Sequence, residues 1–218
     1  DYCSGSCGLL LLIIDNMAYV ANVGDSRCLI SCNNGKIKNQ VTRDHKPNFL
    51  YEKQRIILNG GIIYQSQNVL NGDDYNASLK GKILIGPFRV LPGRLSVSRT
   101  IGDAEAKCTL FGGMPNVVIN EPDIYSFNID KDDVDYFILC CDGVFDQLNN
   151  DDIFECVSLV VNYNKFNNNN SNIHSVCGDI VNLILNASME RKSFDNVSCI
   201  IVTFKNLLNL DKMKKNNR

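Results

Sequence analysis

The sequence predicts an α+β layered fold, on three observations. Strand-like apolar segments are grouped instead of alternating one by one with helices. The helical segments arrive in blocks. Neither G-x-G-x-x-G nor G-x-x-x-x-G-K-[ST] occurs, so a doubly wound nucleotide-binding fold has no motif behind it. With 218 residues, 44% apolar and 21% charged, the chain can bury a proper core and is expected to form one domain.

The first half reads as a β-meander. Leu9–Ile14 is an apolar run, Asp15-Asn16 a turn, and Ala18–Val23 a second strand. Arg27–Ser31 continues it, and Asn34-Gly35 marks a hairpin turn. Asn48–Leu58 has a helical pattern, with Leu50, Ile56 and Ile57 apolar and Glu52 and Arg55 polar, stopped by Gly60-Gly61. Gln65–Phe88 is polar and punctuated by Gly and Asn, which predicts a long loop. Val117–Asn120 and Ile124–Ile129 read as short strands around Pro122, and Tyr136–Cys141 as a central buried strand. Asp151–Asn162 reads as a helix capped by Asn150, Ser171–Met189 as a second helix, and Val197–Phe204 as a closing strand. Asn167–Asn170 is a low-complexity loop insertion, and the basic tail Asp211–Arg218 is expected to fray.

Composition excludes several classes. A net charge of −2 gives no basic surface for nucleic acid. The longest apolar stretch, Leu9–Ile14, is far too short to span a bilayer, so no membrane is expected. The ten Cys form no C-x-x-C pair and mostly sit in apolar runs, as Cys28, Cys140, Cys141 and Cys199 do, so reduced core thiols are expected.

The chemistry is carried by Asp residues at the edges of regular elements. Asp142-Gly143 ends the strongest strand, Gly24-Asp25 follows Ala18–Val23, Gly102-Asp103 follows Ser98–Ile101, and Asp195-Asn196 precedes the last strand. An unpaired buried carboxylate is costly, whereas a cluster of carboxylates suits a hard cation with oxygen ligands, Mg²⁺ or Mn²⁺. Taken singly, each Asp also fits a cap or a turn. The order and context of the four are the specific signal.

Five blocks in this order resemble the metal-dependent type 2C Ser/Thr protein phosphatases. Ala21–Arg27 resembles the family's A-N-x-G-D-S-R, and Asp44-His45-Lys46-Pro47 its D-H-K-P, followed by Glu52, Arg55-Ile56 and Gly60-Gly61. Leu95–Asp103 resembles L-[AS]-x-[ST]-R-x-[IFL]-G-D, Phe137–Asp146 the F-[IL]-[IL]-x-[CAS]-D-G-[LVI]-[WF]-D strand, and Ser193–Ser198 the S-x-D-N-[IVM]-[TS] block. The resemblance runs from about Ser4 to Phe204. It implies two antiparallel sheets sandwiched between helices, and hydrolysis of phosphoserine and phosphothreonine by a metal-activated water. It implies Asp142 and Asp195 as ligands of the first catalytic metal, and Asp25 as a carboxylate that, with Asp142, holds a third ion in some members, helped by Asp146 through water. The cofactors implied are two Mg²⁺ or Mn²⁺ ions in the complete domain, with the third additional. Arg99 and Asp103 match structural positions, as does the turn residue His45, and His174 reads as a surface histidine.

The family's opening third has no counterpart. It carries a phosphate-gripping Arg, an early acidic pair and D-G-H-G-G, whereas the only Asp-Gly here is Asp142-Gly143, already assigned, and no His-Gly pair exists. Residues 1–207 therefore read as a partial catalytic domain and 208–218 as a polar basic tail, with no catalytic general acid of its own. A fragment, a truncated gene product and a pseudophosphatase binding module all remain open. The partners implied are phosphoprotein substrates, with a monomer expected when the domain is complete. The implied compartment is intracellular, cytoplasmic or nuclear.

Overall fold

The computed structural model describes residues 3–69, 83–166, 172–205 and 207. The expected insertion at 167–170 and the tail at 208–218 lie outside them, as does 70–82 of the expected loop. Among the described residues eleven strands and five α-helices follow in order: β1 Gly5–Ser6, β2 Gly8–Ile14, β3 Met17–Val23, β4 Arg27–Cys32, β5 Ile37–Gln40, α1 Leu50–Leu58, β6 Ile62–Val69, β7 Ile83–Leu91 and β8 Ile101–Gly102, then α2 Ala104–Lys107, β9 Asp123–Asn128, β10 Val134–Cys140, α3 Asp142–Phe145, α4 Asn150–Phe166, α5 Ile173–Glu190 and β11 Cys199–Thr203. The described sheets are antiparallel and the helices pack beside them, as an α+β fold requires. The chain divides into two compact units: residues 1–8 with 45–121, and residues 9–44 with 122–218.

The second unit is layered. Its central sheet runs β11-β10-β4-β5 and its outer sheet β2-β3-β9. Side chains alternate across a strand, so each central strand serves two interiors. Leu29, Tyr136, Ile138 and Cys140 pack with Ile153, Phe154, Val157, Val161, Val176, Ile180 and Ile184 from α4 and α5. Cys28, Ile30, Phe137 and Leu139 pack on the opposite side with Ala18 and Val20 of the outer sheet. Every residue of β10 is buried, which is why its sequence is a continuous apolar run with a single buried carboxylate, Asp135. Asp135 is held by Ser31 Oγ at 3.0 Å, the N–H groups of Asn34 and Gly35 at 3.1 and 2.8 Å, and Lys205 Nζ at 3.0 Å. It thereby anchors the β4–β5 turn, where Asn33, Asn34 and Gly35 all take positive φ.

Asn149, one residue before the expected cap, caps α4. Its Oδ1 accepts from Asp152 N–H at 2.9 Å while Asp152 Oδ2 accepts from Asn149 N–H at 2.8 Å, a reciprocal capping box that needs an acceptor three residues on. Asn172 caps α5.

The first unit has a small apolar core of Ile56, Val90, Ala106, Val117 and Val118. Here three expectations are corrected. Residues 65–69 and 83–88, read as loop, lie in β6 and β7, which pair antiparallel. Residues 65–67 are polar, and Ile83, Ile85 and Phe88 are apolar but exposed with Gly86 and Pro87 between them, so backbone pairing sustains the strands without an apolar face turned to a core. Val117–Asn120 is no strand: only Ile119 makes an isolated bridge, to Arg99. The buried face of α1 is Glu52 and Ile56, whereas Leu50 and Ile57 are exposed, because Glu52 is drawn inward by arginines.

Candidate metal centre

All four acidic positions of interest in the second unit lie at the ends of its central elements. β3 ends at Val23, and Gly24 takes φ 112°, a conformation that favours glycine. Asn22 fixes this turn by donating from Nδ2 to Gly24 O at 3.1 Å and Arg43 O at 3.0 Å. Asp25 follows, buried. Arg27 then opens β4 with a two-pronged pair to Asp44, both contacts 2.8 Å, and its guanidinium lies 4.8 Å from the Phe145 ring centroid. The Asp44 hydrogen bonds, against the cost of burial, hold the guanidinium above its ordinary value, with Asp25 and Asp146 adding to the effect.

Asp142 stands where β10 becomes α3, and Asp195 stands ahead of β11. What joins them is Gly143. A Cβ there would lie 2.3 Å from Asn196 O and 3.3 Å from Asp195 Cβ, so the Asp195-Asn196 backbone rests directly on the glycine. The close approach that the missing side chain permits is made by the backbone of the chain itself. Gly143 O accepts from Ser188 Oγ at 3.1 Å and Ser193 Oγ at 2.8 Å. Cys141 completes the clasp: its N–H donates to Ser198 O at 3.2 Å, its thiol to Asn196 O at 3.1 Å, and its sulfur accepts from Ser198 N–H at 3.1 Å. One carboxylate oxygen of each acid accepts from the next residue's N–H, Asp142 from Gly143 at 2.9 Å and Asp195 from Asn196 at 2.7 Å.

The electrostatics are those of a crowded acidic edge. Burial raises the Asp142 carboxyl above the ordinary range, Asp25, Asp195 and Asp146 raise it further, and only the Gly143 N–H works the other way. Asp25, Asp195 and Asp146 thus each fall within electrostatic reach of Asp142. Among the described residues, however, no group of three or more His, Cys, Asp or Glu side chains is assembled closely enough to hold a metal ion. The arrangement suits a hard cation as part of a ligand set: it offers oxygen donors only, and a cation would relieve the acidic crowding at Asp142.

The other singled-out residues belong to the first unit or to the surface. Arg99 donates to Glu52 Oε1 from Nε at 3.0 Å and Nη2 at 2.7 Å, and to Glu121 O at 2.9 Å. Asp103 is buried at the start of α2 with φ 49°, and its N–H donates to Ser4 O at 2.9 Å. His45 is buried and its carbonyl accepts from Ser98 N–H at 2.8 Å and Oγ at 2.9 Å. His174 is exposed on the first turn of α5. Sequence reasoning missed Cys141, Ser188 and Ser193 as organisers of the acidic edge. For Cys141 the available signal was its place immediately before Asp142-Gly143, and for Ser193 its place at the head of the S-x-D-N block; Ser188 gave none.

The family model described as "Protein phosphatase 2C" matches residues 1–197. "Probable protein phosphatase 2C 60" of Arabidopsis thaliana is 29% identical over 207 residues, covering 93% of this chain and 48% of the relative. "Protein phosphatase 1A" of Homo sapiens is 29% identical over 205 residues, covering 93% and 44%. The chain therefore spans about half the length of the curated relatives it matches. Among solved structures, a C. elegans sex determining protein superposes with TM-score 0.64 at 22% identity, over 89% of this chain and 38% of that one. A serine-threonine phosphatase 2C from Toxoplasma gondii superposes with TM-score 0.58 at 21% identity, over 91% and 58%. Among the described residues no helix is long and apolar enough to cross a membrane.

Proposed function

The chain belongs to the protein phosphatase 2C family, and from that premise we propose that residues 1–207 supply part of the catalytic site of a metal-dependent protein serine/threonine phosphatase. The observation that carries the reading is the contact of Gly143 with the Asp195-Asn196 backbone, which brings together the two segments that carry Asp142 and Asp195. Asp142 and Asp195 would hold a first Mg²⁺ or Mn²⁺, with Asp25 beside Asp142 for an additional ion. Metal ions of this kind, two of them in the complete domain, polarise a phosphoryl group and activate water. The role of this chain's own residues is to fix the acids: Cys141 and Gly143 hold the two segments together, and Ser188 and Ser193 anchor the Gly143 carbonyl. The substrates on this reading are phosphoproteins, acted on inside the cell by a monomeric complete domain. The segment 208–218 is read as a tail outside the catalytic part.

Hydrolysis of p-nitrophenyl phosphate tests the reading. Residues 1–218 alone should give no Mn²⁺-dependent turnover above background, because the sequence holds no D-G-H-G-G block. A general acid and preorganised charge stabilisation are each worth orders of magnitude in rate. Joined behind a segment bearing that block, the same residues should hydrolyse the ester in the presence of Mn²⁺ or Mg²⁺. Asp142→Ala or Asp195→Ala should abolish that activity and His174→Ala should leave it intact. Robust turnover by residues 1–218 alone, or activity that survives Asp142→Ala, would refute the assignment.

A further inference from the structure

We propose that Cys140 and Cys199 are a thiol modification site that closes reversibly into a cross-strand disulfide between β10 and β11. The two residues are directly opposite in the antiparallel register, as the last pair of the β10–β11 ladder. Their position in the hydrogen-bond pattern decides the geometry. Phe204 N–H donates to Asp135 O at one end of the ladder, and Cys141 N–H to Ser198 O at the other. The exchanged backbone bonds therefore fall on the pairs of Asp135 and Cys141, and alternation puts Cys140 opposite Cys199 at a non-hydrogen-bonded pair. Such pairs bring their Cα atoms to about 4.5 Å, with side chains on the same face and turned toward each other. That separation lies inside the roughly 4.4–6.8 Å window a disulfide spans.

Both thiols lie on the helix-covered face of the central sheet. Cys140 is buried at 2% exposure, whereas Cys199 is half-buried. No other strand pair whose register is described sets cysteine against cysteine: Cys28 faces Leu139 and Cys32 faces Val134. The accessible partner meets the oxidant first. With a low-molecular-weight disulfide such as oxidised glutathione, Cys199 gives up its proton to solvent and attacks one sulfur, expelling one glutathione thiolate and leaving a mixed disulfide. Cys140 then loses its proton and attacks Cys199 Sγ, expelling the second. The two cysteine sulfurs are oxidised by two electrons, and one molecule of glutathione disulfide becomes two of glutathione.

The site stands apart from the phosphatase reading and does not depend on it. The experiment is mass spectrometry of the full 218-residue chain after incubation with excess oxidised glutathione, with remaining thiols then alkylated before non-reducing digestion. The expected result is loss of two hydrogens from the intact mass, two of the ten thiols protected from alkylation, and fragment ions that place the bond at Cys140 and not at Cys141. Dithiothreitol restores all ten thiols. Cys199→Ser and Cys140→Ser should each lose the bond, and Cys177→Ser should retain it. Because the linkage is read in the unmodified sequence, a poorly folding variant does not decide the matter. Ten thiols alkylated after exposure, glutathione retained on Cys199 without the internal bond, or a bond between any other pair would overturn the proposal.

Discussion

Glu52 in the first unit and Asp142 in the second are both carboxylates set against the interior, and their surroundings are opposite. Glu52 is 1% exposed and is met by Arg99, Arg55 and the Ser98 hydroxyl. Burial alone would raise it, but the hydrogen bonds from Arg99, Ser98 and Arg55 prevail and hold it below the ordinary range. Asp142 has no such company: burial and three further acids push it up. A carboxylate whose charge is already answered by the fold is part of the scaffold. One whose charge is opposed by burial and by three neighbouring acids is poised for something the chain itself does not supply, and a cation is the simplest such thing.

The sharpest way to break this contrast is at Glu52. Glu52→Gln leaves two arginines facing a neutral amide, and removal of one member of a buried ion pair costs about 3–5 kcal/mol. Urea denaturation should show a loss of that size, without change in Mn²⁺ binding. A loss below about 1 kcal/mol, as for an exposed pair, would place Glu52 outside the scaffold. The next effect belongs to Gly143. A methyl at Gly143→Ala would meet a backbone oxygen, Asn196 O, at 2.3 Å, and a flexible side chain cannot yield there. Overpacking of this kind costs about 1–3 kcal/mol. It should also weaken Mn²⁺ binding by separating Asp142 from Asp195, which calorimetry on the folded variant would detect. Unchanged affinity would mean that the Gly143 contact does not set the spacing of the acids.

The same contrast explains what the sequence disclosed. The central strands and the acids at their ends were legible because β10 is buried on both faces and must be apolar until Asp142 interrupts it. Glu52 was not legible: on α1 its spacing is that of a solvated residue, and its burial depends on Arg99, 47 positions away. The β6–β7 pair escaped because β6 turns polar over Gln65–Asn68 and β7 is interrupted by Gly86-Pro87, both of which read as loop. Val117–Asn120 misled for the converse reason, since Val117 and Val118 are buried as apolar loop residues of the first unit's core. The clasp around Asp142 was half visible. Its glycine stood in the motif, but Cys141, Ser188 and Ser193 act through contacts across 45 to 57 residues, which local pattern does not encode.

The smallest expected effect separates the two acids by pH. A carboxyl held low, as in Glu52, supports the fold fully above the ordinary range of about 4.3 and loses that support as the pH falls through its depressed value. A carboxyl held high, as in Asp142, does the reverse. It weakens the fold once the pH has risen above its raised value, and the penalty disappears below the ordinary Asp range of about 3.9, where both states are protonated. Asp142→Asn should therefore stabilise the chain at neutral pH in a chelator. Asp142 is partly exposed, so solvent screening limits the gain to about 0.3–1 kcal/mol. The gain should shrink steadily as the pH is lowered toward 4. Millimolar Mn²⁺ should reverse the ranking, because a ligand that binds only the folded state stabilises it in proportion to the logarithm of its saturation, and the Asn variant has lost a donor. Thermal unfolding of both proteins at neutral and acid pH, with chelator and with Mn²⁺, reads all of these terms. A variant less stable than the parent in chelator at neutral pH, or an equal Mn²⁺ shift in both proteins, would remove Asp142 from the metal centre and leave it a scaffold acid like Glu52.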